Sequence, residues 1–164
     1  MTTSGYIDHN LIQNSALSCF LLTSFVKQYE DTAPDSPPVE LMKALLVLPL
    51  LWHQASCQSI QKRNLATPMH AVLRETPAML VDFRRRVQAY TGPTLQGLNL
   101  ACASGLLVKS DDPVRPGFST NFDRWPKNSR PTDAPGDMLR AIERLACWFS
   151  LATTPQLYAQ LLKD

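Results

Sequence analysis

The sequence is short of charge, of glycine and of long apolar runs: Asp, Glu, Lys and Arg together make up 18% of its 164 residues, and only six residues are glycine. The phosphate loop GxxxxGKS/T does not occur, so any ATP hydrolysis around this protein is expected from another subunit. The longest apolar stretch, residues 44–52, falls far short of the roughly 18 residues that cross a bilayer. Residues 1–14 lack a basic start followed by an apolar run, so no targeting segment is read there and a cytoplasmic location is expected. The four cysteines, Cys19, Cys57, Cys102 and Cys147, form no CxxC pair and sit among apolar neighbours, which excludes a zinc knuckle or disulfide framework and predicts small buried hydrophobes. A formal net charge of +2 is too small to name a partner. No cofactor and no metal are expected.

Apolar residues are plentiful, at 45%. One compact domain over residues 1–164 is predicted, because a chain of this size buries about two-thirds of its unfolded surface. The sparse charge leaves an exterior suited to a partner. The fold class expected is mainly α. In SALSCFLLTSFVKQY, the residues Leu17, Phe20, Leu21, Phe25 and Tyr29 recur at helical spacing behind the candidate caps Asn14 and Ser15. Pro34, Pro37 and Pro38 make residues 31–38 a loop. A second helix is predicted to start near Val39, buried on every side through ALLVLPLLW and ended or bent at Pro49. These N-terminal helices span residues 14–65.

Thr67-Pro68 and Thr76-Pro77 pair a cap hydroxyl with a proline that needs no amide partner, and so predict a short and a longer helix. On the longer one Leu80, Phe83, Val87 and Tyr90 share a face, with Arg84, Arg85 and Arg86 projecting elsewhere. Thr91-Gly92-Pro93 is read as a turn into a third helix, TLQGLNLACAS, closed by Gly105 as a left-handed cap. LLVK, a turn at residues 110–113 and VRPGF then form a hairpin, so residues 67–118 are expected to make a winged-helix-like helix-helix-helix-hairpin unit. Residues 119–136, with Pro126, Pro131 and Pro135, read as a surface arm. Helices resume over residues 137–164, the last opened by Pro155.

The segments NSALSCFLLTSFVKQYE, LLVLPLLWH, MHAVLRETPAMLVDFRRRV, LNLACASGLL and RLACWFS, in that order, resemble the middle component of bacterial three-component ABC ATPase systems over nearly the whole chain. Ser15 stands where such proteins often have proline, and Ala146 where glycine is usual. The resemblance implies work beside an SMC-like ABC ATPase and an effector in antiphage defence.

Candidate chemistry is thin. His53 and Cys57, four apart, would share a helix face as base and nucleophile do, yet no carboxylate is placed to orient the imidazole, and packing is the favoured reading. His9 and His70 have no second ligand at helical spacing. Asp111 and Asp112 suit a turn better than a metal. The best phosphate candidates are Arg84, Arg85 and Arg86, helped by Lys62, Arg63 and Arg74, although a run of this kind usually forms a solvated helix face. The third predicted helix has no Lys or Arg and offers only Gln96 and Asn99, which fits protein docking better than a duplex groove. Trp125, in the proline-rich arm, either folds back onto the core or waits for another subunit. The reading is a non-catalytic adaptor between the ATPase and an effector, without a membrane and with self-association left open. Its alternative is a DNA-binding winged-helix subunit with weak, salt-dependent contacts.

Overall fold

The computed structural model describes residues 15–131 and 133–163. The cap expected at Asn14 and the terminal His9 lie outside them. The chain is mainly helical. Helix α1 (Ser15–Thr32) leads to strand β1 (Val39–Glu40), the short helices α2 (Leu41–Ala44), α3 (Val47–Leu51) and α4 (Gln54–Gln61), helix α5 (Met69–Glu75) and a 3₁₀ turn (Pro77–Leu80). Helix α6 (Phe83–Ala103), strands β2 (Leu107–Lys109) and β3 (Gly117–Thr120), and helices α7 (Gly136–Ser150) and α8 (Thr154–Leu161) complete it.

Helix α1 is the central member, packed between α6 and α7. Its buried residues, Cys19, Phe20, Leu21, Leu22, Phe25, Val26 and Tyr29 among them, occupy every side, as a helix covered all round requires. Phe25 meets Phe149 of α7 edge-on at 5.6 Å between ring centroids. On the other side α1 and α6 approach until Ser18 Oγ donates to the Pro93 carbonyl at 2.8 Å. A Cβ added at Gly97 would lie 2.1 Å from Ser18 Oγ and 2.9 Å from the Ser18 carbonyl carbon, so only glycine permits this spacing.

Three expected boundaries are corrected. The second helix does not start at Val39: Val39 and Glu40 pair with Phe118 and Gly117 of β3, and the helix begins at Leu41. Pro49 does not end its helix: the helical run breaks in the turn before it, at Leu45 and Leu46, and Pro49 is the third residue of α3, within the first turn, where no amide is needed. Thr91-Gly92-Pro93 is no turn. Helix α6 runs through it for 21 residues: Pro93 lies against α1, its carbonyl accepting from Ser18 Oγ, and Leu98 and Ala101 beyond it stay buried. The separate third helix is therefore the C-terminal half of α6, and the Thr76-Pro77 start opens only the 3₁₀ turn before it.

Gly105 has φ +77° and closes α6 as expected, with its amide donating to the Cys102 carbonyl and that of Leu106 to Ala101. The hairpin also forms, with Leu107 opposite Thr120, Val108 opposite Ser119 and Lys109 opposite Phe118. Its second strand starts at Gly117 rather than at Val114. Addition of β1 gives a three-stranded antiparallel sheet in the order β1-β3-β2. At the far end Thr153 and Gln156 cap α8 reciprocally, with Pro155 in the first turn.

Candidate functional site

The three consecutive arginines divide between two roles. Arg84 and Arg85 are exposed at the start of α6. Arg86, one position on, turns inward and donates to the carbonyls of Pro49 at 2.6 Å, Val81 at 3.1 Å and Met79. Its guanidinium also stands 5.1 Å from the Phe83 ring centroid, and burial draws its pKa below the ordinary value. Arg86 therefore ties α3 and the 3₁₀ turn to α6 through its two terminal nitrogens, while its buried Nε has no hydrogen-bond partner among the described residues. Asp82 precedes the helix in the left-handed region at φ 52°, and the 100° turn per residue of the helix that follows sends these neighbours apart. The other cations are no closer to forming one patch. Arg63 pairs with Glu75, and its carbonyl accepts from Arg144. Lys62 shares with Arg63 the edge of a shallow cleft beside Gln58 and Ser59 of α4. Arg74 is exposed on α5.

A cation that sequence reasoning passed over is Lys43, set in the apolar run after β1. It is 7% exposed, and its ammonium uses all three protons, donating to Tyr29 Oη at 3.0 Å, the Phe149 carbonyl at 2.8 Å and the Ala152 carbonyl at 2.9 Å. The last two acceptors lie at the C-terminal end of α7, where unsatisfied carbonyls carry partial negative charge. A lone lysine among residues destined for burial was the available signal. Its two carbonyl partners, more than a hundred residues away, were not.

His53 Nδ1 lies 2.7 Å from the hydroxyl of fully buried Ser56, and the Cys57 amide donates to the His53 carbonyl. Burial, reinforced by the charge of Asp137, raises the Cys57 thiol from 9.0 to about 11, which keeps it protonated at neutral pH. All four cysteines are free thiols, with Cys19 and Cys57 buried and Cys102 and Cys147 partly so. Asp112 takes the local role expected of it, accepting from the amides of Arg115 and Val114, which lower its pKa. Among the described residues no group of three or more His, Cys, Asp or Glu side chains is placed to hold a metal, and no helix is long and apolar enough to cross a membrane.

Trp125 folds back. Its ring lies 5.5 Å from Phe20 of α1 and 4.9 Å from Phe122, and the Arg130 guanidinium stands 5.2 Å over it. It stays half-buried, on the edge of a groove shared with Lys27, Leu139 and Glu143. Gln96 and Asn99 lie far along the chain from it, side by side on the solvent face of α6. That face also carries Gln88, Ala89, Gly92, Leu95, Leu100 and Ala103, all exposed, with Leu95 at 45% and Leu100 at 40%. Helix α6 contains no acidic residue, and after Arg86 no charged one.

The described residues thus combine buried cations locked into backbone carbonyls with one long helix face that is uncovered and nearly uncharged. The family model for Middle Component 3 of ABC-three component (ABC-3C) systems matches residues 8–163, and the chain belongs to that family. Neither the curated proteins nor the solved structures compared with it gave a match.

Proposed function

We propose that the chain is a non-catalytic adaptor that couples the SMC-like ABC ATPase of its system to an effector in bacterial antiphage defence. The observation that carries this reading is the uncovered face of α6 around Gln96 and Asn99, in a family whose members are one component of a multi-protein system. Co-expression of the tagged chain with the ATPase and effector encoded beside it tests the reading. Both should co-purify, and recovery of the chain alone would reject it. The chain by itself is expected to hydrolyse no ATP and cleave no nucleic acid, and turnover abolished by His53→Ala or Cys57→Ala would overturn that.

A second reading has its own observation. The order α1, β1, further helices, α6 and then a hairpin, with β1 added to the sheet beside β3, supports a winged-helix-like unit larger than residues 67–118, with α6 before the wing. Arg84 and Arg85 then stand near the start of the helix that would face DNA. Weak binding of a labelled duplex, falling steeply with salt and lost in the double variant Arg84→Ala, Arg85→Ala, would favour it.

A further inference from the structure

We propose that residues 122–130 form a strap that opens as one unit between fixed points at Asn121 and Pro135, and so switches the groove between α1 and α7 from a closed to an open state.

The strap is held together by its own contacts. Phe122 and Arg130 both stand on Trp125, because a turn folds the chain back between them: the Ser129 amide donates to the Pro126 carbonyl at 3.2 Å, with Asn128 in the left-handed region at φ 63°. The Ser129 hydroxyl closes the same turn, donating to that carbonyl at 2.6 Å. Among the described residues, every hydrogen bond made from Phe122 to Arg130 is internal to the strap, and none of Asp123, Arg124, Lys127 and Arg130 is ion-paired.

One ring contact joins the strap to the helices, Trp125 on Phe20 at 5.5 Å. Around that contact the fit is loose. A groove of about 400 Å³ stays open between Trp125 and Arg130 on one side and Lys27, Gln28, Leu139 and Glu143 on the other. The ends of the segment are fixed by contrast. Asn121 donates through its amide to the Leu106 carbonyl at 2.9 Å and through its side chain to the Gly105 carbonyl at 3.3 Å. At the other end the Pro135 carbonyl accepts the first hydrogen bond of α7, from the Leu139 amide at 3.1 Å. A segment with fixed ends, internal order and one aromatic anchor is a separate cooperative unit, which leaves the body without breaking a hydrogen bond of the helices or the sheet. In the closed state Trp125 lies against Phe20, which is 4% exposed. Opening uncovers that ring beside Leu139 and widens the groove along α1 and α7.

Limited trypsin digestion of the full chain under native conditions tests the strap. Arg130 precedes Pro131 and so resists trypsin, which leaves the bonds after Arg124 and Lys127 as reporters. Cleavage after Lys127 should be nearly independent of urea well below the unfolding midpoint, whereas cleavage within the helices climbs with urea as global unfolding does. Trp125→Ala should speed cleavage after Lys127 roughly tenfold or more, while its circular-dichroism melting midpoint stays within a few degrees of wild type. Arg130→Ala, which removes only the cation over the indole, should speed it roughly threefold. Cleavage after Lys127 that shares the urea dependence of the helices would overturn the strap, because the segment then opens only with the whole fold. An unchanged rate in Trp125→Ala would overturn it by showing that Trp125 on Phe20 holds nothing closed. A melting midpoint lowered as far as by a core truncation would equally reject it, since Trp125 would then belong to the body of the fold.

Discussion

The two faces of α6 use the same kinds of residue to opposite ends. Toward the core, Gly97 is there because Ser18 leaves no room for a methyl group, and Arg86 is held by three backbone carbonyls. Toward solvent, Gly92 touches nothing beyond its own helix, and Arg85, a neighbour of Arg86 in sequence, is exposed. A turn of 100° per residue suffices to convert a structural clamp into a surface cation. A run of like residues on a helix is therefore several different environments, and each member must be weighed by what surrounds it.

Substitutions sharpen the contrast. The largest effect is expected at Gly97: Gly97→Leu forces α1 and α6 apart at the Ser18 contact and should cost at least about 3 kcal/mol, measured by urea unfolding. Next comes Arg86→Ala, which strips three carbonyls of a charged donor and should cost about 2 kcal/mol. Arg84→Ala and Arg85→Ala, by the same assay, should stay within about 0.5 kcal/mol of wild type. Equal losses across the three arginines would break the comparison. The smallest effect belongs to Gly92→Ala, expected to shift stability by less than about 1 kcal/mol in either direction, because the gain in helix propensity and the crowding by Pro93 oppose each other.

Sequence alone determined a good deal of this protein. The period of Leu17, Phe20, Leu21, Phe25 and Tyr29 specified α1, Gly105 specified the end of α6, and Pro155 specified the start of α8, because periodicity and helix-terminal signals are local properties carried by neighbouring residues. The hairpin and the local role of Asp112 were legible for the same reason, and the order of apolar segments pointed to the family. Gln96 and Asn99 were legible as polar positions on a helix without cations, although the helix itself was cut in two. Tertiary structure decided the rest. Pro93 reads as a break until α1 supplies the packing that holds α6 together across it, and Val39 reads as helix until β3 offers its edge. Arg86 and Lys43 are surface cations by composition, and carbonyls brought from distant segments help to draw them inward. The Arg86 contact to Pro49 and the Lys43 contacts to Phe149 and Ala152 join residues 37 to 109 positions apart, so no short window along the chain contains both partners.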